Sequence, residues 1–102
     1  MKPATLINPF IVPQEEEEKF LALWKEIHAY MKEQPGFIET KFHKSLDTHG
    51  RLPEPQFRFI NVALWESPEA FAKVVTSNEF RSLAKDIMPY TAGPGFYEVI
   101  VE

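Results

Sequence analysis

The chain has 102 residues, 44% of them apolar and 14% aromatic, with a formal net charge of -4 and no cysteine. This describes one domain over residues 1-102 with a single modest core, and an acidic balance without clustered Lys and Arg argues against a nucleic-acid partner. Without cysteine there are no disulfides, thiolate metal sites or Cys nucleophile, which suits a reducing cytoplasm.

The opening MKPATLINPFIVP is too short an apolar run, and too broken by Asn8 and its prolines, for a signal peptide or a membrane span. A cytoplasmic protein without a membrane partner is expected. Thr5 to Val12 reads as a first strand, with Leu6, Asn8, Phe10 and Val12 on one face and Ile7, Pro9 and Ile11 on the other. Pro9 cannot donate to a ladder, so the strand has an edge or irregular character there. Pro13 and the run Glu15 to Glu18 mark a helix start, because proline suits the first turn and carboxylates suit the positive end of the helix dipole. Phe20, Trp24, Ile27 and Met31, with Leu23 and Tyr30 beside them, recur at helical spacing and predict an amphipathic helix that stops at Gln34, Pro35 and Gly36. His28, one turn after Trp24, falls at the margin of that apolar stripe and reads as a boundary residue.

Phe37 to Leu46 is predicted as a second strand, with Ile38, Thr40, Phe42 and Leu46 on one side and Glu39, Lys41, His43 and Ser45 on the more polar side. Glu39 and His43 supply two ligand types at best, with no third in sequence reach, so no metal site is assigned. Asp47 to Pro55 follows as an exposed hairpin loop holding His49. Gln56 to Glu66 is the central strand. It places Phe57, Phe59, Asn61, Ala63 and Trp65 on one face and Arg58, Ile60, Val62 and Leu64 on the other, so both faces are largely apolar and each needs a cover. Asn61 is the one polar side chain in the middle, and an amide is costly to bury without a partner.

Ser67, Pro68 and Glu69 form a strong helix start, and Ser77, Asn78 and Glu79 repeat it, predicting short helices over 68-76 and 78-87. After a breaker-rich connection, a fourth strand is expected over Phe96 to Val101. The order of strand, helix, two strands, helix pair and strand is an α+β, ferredoxin-like split βαβ sheet with its helices on one face. The uncovered face is expected to carry Phe57, Phe59, Trp65 and Phe10, an apolar area that a homodimer would bury.

NVALWES (Asn61 to Ser67), the following PEAF and NEFR, and the earlier QPGF (Gln34 to Phe37) resemble the antibiotic biosynthesis monooxygenase family over nearly the whole chain. The resemblance implies a dimeric α/β barrel. In members that oxidise aromatic polyketides without a cofactor, an Asn and a Trp on the third strand line the pocket, and these match Asn61 and Trp65. A pocket Tyr of that set is replaced here by Phe71, and the pocket arginine aligns loosely with Arg81 or Lys85. In the haem-degrading branch, Asn8 matches the first-strand Asn, but Val74 and Ala84 occupy the positions of its Trp and its axial His.

These features give Asn61, Trp65 and Arg81 as candidate catalytic residues and Asn8, Phe10, Phe59, Phe71 and Lys85 as candidate substrate contacts, with no metal or other cofactor. The implied partners are a flat aromatic or quinol-type molecule and dioxygen. The implied reaction is a cofactor-independent monooxygenation, in which an amide donates to a substrate oxyanion and a cation favours it. A non-catalytic small-molecule-binding or stress-response module is the alternative. The plain structural reading has Asn61 bonded to a neighbour and Trp65 packed as core.

Overall fold

A computed structural model describes residues 2-102. Four strands, β1 (Ala4–Phe10), β2 (Phe37–Lys44), β3 (Phe59–Trp65) and β4 (Gly95–Tyr97), form one sheet in the order β2-β3-β1-β4. All neighbouring pairs are antiparallel. With α1 (Glu17–Met31), α2 (Pro68–Val75) and α3 (Asn78–Ala84) this is the expected α+β, ferredoxin-like arrangement. The acidic start forms a single 3-10 turn, Gln14–Glu16, before α1 begins.

The element ends differ from the sequence expectation in two informative places. A β-bulge between Phe37 and Glu39 turns Ile38 out to solvent, so it does not share a face with Thr40 and Phe42, and Leu46 lies beyond the strand and is exposed. The fourth strand is three residues long, and Val99, Ile100 and Val101 are exposed rather than paired.

The face assignment also changes. Phe10, Phe59 and Trp65, expected on the uncovered face, are 3%, 1% and 1% exposed and lie beneath the helices. The reason is register: Phe10 pairs with Phe59 and Leu6 with Ala63, so one face of both strands meets α1. There Phe20, fully buried, sits among Phe10, Phe59 and Tyr90 with ring centroids 5.0, 5.2 and 5.3 Å away. The other face carries Ile7, Ile60, Val62 and Leu64, all partly exposed. Phe57 lies before β3 and is half-buried.

Two core clusters result, one around Phe20 and one of Leu6, Ala63, Trp65 and Val74. Arg58 ties the start of α1 to the sheet, donating from Nε to Glu17 Oε2 at 2.8 Å and from Nη1 to the Ser45 carbonyl at 3.1 Å. Ser67 caps α2 by accepting the Ala70 N–H at 3.1 Å. Ser67→Ala is therefore expected to destabilise the protein by about 0.5–2 kcal/mol in urea unfolding, with Ser67→Gly losing only a few tenths. Equal losses for the two variants would refute the capping account.

Tyr90 donates its hydroxyl to Glu16 Oε1 at 2.5 Å, fastening the segment after α3 to the start of α1. That hydrogen bond, then burial, raises the Tyr90 hydroxyl above its ordinary 10.0. A raised native value means that this contribution to stability is intact below about pH 10 and is lost as pH climbs through the native value. Tyr90→Phe should thus flatten the alkaline limb of the stability profile. Parallel limbs for variant and wild type would show that another group governs it.

Candidate functional site

The site begins with a pairing of two strands. Antiparallel register sets Asn8 of β1 directly opposite Asn61 of β3, both on the helix-covered face, and such partners carry Cβ atoms about 4.5–5.5 Å apart. Asn61 Oδ1 accepts the Thr40 hydroxyl at 3.2 Å, which fixes the amide and points its NH2 group away from β2's threonine. Among the described residues that NH2 group has no acceptor. Asn8 Oδ1 is buried with no hydrogen-bond partner among the described residues. An orphaned buried acceptor costs about 1–3 kcal/mol, a penalty expected where a ligand supplies the missing partner.

Both amides face a narrow cavity of about 80 Å³ between the two core clusters, walled by Leu6, Phe10, Trp24, Ile27, His28, Met31, Phe37, Thr40, Ala63, Trp65 and Phe71 among others. A wider, largely apolar hollow of about 410 Å³ adjoins it, bounded by Val75, Arg81, Ala84 and Pro94. Asn8, Phe71, Phe80, Met88 and Thr91 line both, so they form the passage from the outer hollow to the inner cavity. Asn61 therefore stands at the inner end of an apolar channel and Asn8 where its two parts meet, and Arg81 is the one Lys, Arg, Asp or Glu among the described residues that line it.

Of the residues chosen from sequence, Asn8, Phe10, Asn61, Trp65 and Phe71 come together around the inner cavity. Trp65 is a buried wall, held edge-on by Phe37 at 5.5 Å and Phe71 at 5.3 Å, so it packs and lines at once. Phe71 in turn meets Phe96 at 5.2 Å. Arg81 is exposed and reaches only the outer hollow. Two residues fall elsewhere. Phe59 stacks on Phe20 and Phe42 in the core, at 5.2 and 5.5 Å, and lines neither space. Lys85, which follows α3, lies beside Lys19, Asp86 and Tyr90 and lines neither space.

Sequence reasoning missed His28 and Thr40 as cavity residues. His28 stacks on Trp24, with centroids 5.1 Å apart and planes 6° from parallel, the i,i+4 neighbour relation that the helical spacing already contained. Thr40 alternates with Phe42 on the inward face of β2, which placed it correctly but gave no hint of its bond to Asn61.

Solved structures share this fold over nearly the whole chain. A candidate monooxygenase from Shewanella loihica PV-4 is 31% identical, with 98% of this chain and 96% of that one covered and a TM-score of 0.74. SnoaB, a cofactor-independent oxygenase from Streptomyces nogalater, is 18% identical over 100% of this chain and 97% of its own, with a TM-score of 0.77. A conserved protein from Bacteroides thetaiotaomicron, described as a possible oxidoreductase, is 19% identical over 97% and 100% of the two chains, with a TM-score of 0.72. No curated protein matches. Residues 3–86 match the profile of the antibiotic biosynthesis monooxygenases, and the chain belongs to that family.

Proposed function

We propose that this protein is a cofactor-independent monooxygenase acting on a flat aromatic or quinol-type molecule. The observation that carries the reading is the facing pair Asn8 and Asn61, with an orphaned amide oxygen and an unengaged amide NH2 at the end of an apolar channel. An electron-rich anion formed from a hydroquinone or enol can pass an electron to dioxygen. One oxygen atom then enters the ring as a carbonyl and the other leaves as water. The protein's share is to hold the ring, favour the anion and keep water out. Asn61 donates to the developing oxyanion from a rigid strand, and Asn8 Oδ1 accepts from a substrate hydroxyl. Trp65, Phe71 and Phe80 supply the flat walls.

Size refines the substrate class. An apolar cavity of about 150 Å³ holds benzene, so the inner space of about 80 Å³ accepts the reacting edge of a ring and not a fused system. The rest of such a substrate lies in the outer hollow, with Arg81 at its margin to favour negative charge. A homodimer joined through Ile7, Ile60, Val62 and Leu64 would cover the open sheet face, and a cytoplasmic setting suits both reading and composition. No helix among the described residues is long and apolar enough to cross a membrane.

Oxygen uptake with a panel of hydroquinones and anthrone-type compounds tests the reading. Uptake that depends on both protein and substrate, without added metal or flavin, supports it. One observation favours a second reading, a non-catalytic binding module: Phe71 occupies a wall position where a tyrosine would shuttle a proton. Tight ligand binding with no turnover in air would select that module instead. Haem degradation has less support, since Val74 and Ala84, at the positions where that branch would place a Trp and an axial His, are buried core residues.

A further inference from the structure

The paired amides leave one chemical need unmet. An anion must be made from a neutral phenol or enol, and a carboxamide is far too weak a base to take that proton. Among the described residues around the inner cavity, one is titratable: His28. We propose that His28 is the proton acceptor for a phenolic or enolic ligand held at Asn61. The proposal rests on the reading of this cavity as a site for such a ring, and not on whether turnover follows.

Geometry prepares His28 for this. Its imidazole lies flat on the Trp24 indole, and Trp24 in turn is stacked on Phe42 at 3.9 Å. Phe37 abuts it at 6.3 Å with planes 64° apart. Stacking occupies the faces of an imidazole and leaves its in-plane nitrogens available. Among the described residues no carboxylate pairs with the His28 imidazole and no hydrogen bond engages it; the bond His28 makes is through its backbone carbonyl, which accepts the Lys32 N–H at 3.0 Å. The charged groups around it are few. Lys25 of α1 stands one turn before it and Lys32, the residue that follows α1, one turn after it, both exposed. From β2, Glu39, Lys41 and His43 occupy the opposite sheet face to Thr40 and Phe42, and β3 presents Phe59, Asn61, Ala63 and Trp65 inward, none of them charged. From α3, Arg81 reaches the outer hollow alone.

The step is a single proton transfer. The ligand O–H bond breaks, its proton forms an N–H bond at the unprotonated imidazole nitrogen, and the electron pair stays on the ligand oxygen. That oxygen then accepts from the Asn61 NH2 group, and the imidazolium remains beside it as counter-charge. A histidine that reads from sequence as the margin of an apolar stripe is thereby assigned to chemistry.

The test uses 4-nitrophenol, whose phenolate is visible by absorbance, bound to the full chain without oxygen at a pH below the free compound's own pKa. The expected result is an ionised fraction of bound ligand several-fold above that of free ligand, with the His28 imidazole signals moving to imidazolium positions in nitrogen-15 NMR. His28→Gln, with its fold checked in the same spectra, should bind the compound in its neutral form. No binding, binding as the neutral phenol to wild type, or equal ionisation by His28→Gln would each overturn the proposal. None of these readouts involves oxygen uptake, so a failure here is separable from failure of the oxygenase reading.

Discussion

Asn61→Ala is expected to lower kcat for oxygen uptake by about 10²–10³-fold, the usual loss when one preorganised oxyanion donor is removed. The expectation follows from position. Asn61 is fixed by the strand register opposite Asn8 and by the Thr40 hydroxyl 3.2 Å from its oxygen, so its NH2 group meets the substrate oxygen without reorganising. Alanine keeps the strand intact and leaves the Thr40 hydroxyl next to a slightly larger cavity. Stability should therefore change little, because the residue faces an apolar space and not a packed layer. KM should move far less than kcat, since the lost bond strengthens as charge develops on the substrate. Equal rates for variant and wild type, at unchanged melting temperature, would remove Asn61 from the mechanism and leave the non-catalytic reading in possession of the site.

The residues that define this site differ in how far the sequence disclosed them. Asn61 was legible because a polar residue in a two-sided apolar strand is conspicuous, and its strand face was legible from alternation alone. Which face the helices would cover was not. Phe59, Ala63 and Trp65 on one side and Ile60, Val62 and Leu64 on the other are equally apolar, so composition offers no preference between them. The choice is made by register with β1, which brings Leu6 and Phe10 to the same side as Ala63 and Phe59, where Phe20 meets them. Asn8 shows the same limit. Its residue type was noted, but its place opposite Asn61 depends on a pairing across more than fifty residues of chain. Ile38 was misassigned because the bulge between Phe37 and Glu39, just after the Pro35-Gly36 turn, breaks the strand alternation on which the assignment rests.

Gly36→Ala should destabilise the protein by about 2–5 kcal/mol, a large part of a typical domain stability of about 5–15 kcal/mol. Two penalties combine. Gly36 has φ of +91°, where an L side chain is strained, and a Cβ built there would lie 2.5 Å from Ala70 Cβ and 3.8 Å from Trp65 Cε3. The glycine of the QPGF turn is thus the spacer that lets α2 close on the sheet, and its carbonyl accepts the Glu66 N–H at 2.8 Å while it does so. Relief of the clash alone can be measured. Ala70→Gly in the Gly36→Ala background should recover about 1–3 kcal/mol, less the helix penalty of about 0.5–1 kcal/mol for a glycine within α2, while the backbone strain at residue 36 persists. The consequence reaches the site, because Phe71 follows Ala70 and holds Trp65 at 5.3 Å. An α2 pushed outward shifts the wall shared by the inner cavity and the outer hollow, so the single variant should weaken ligand binding and the double variant should restore part of it. Urea midpoints that are the same for Gly36→Ala and wild type would mean that α2 yields freely, and that the cavity wall at Phe71 is not set by this contact.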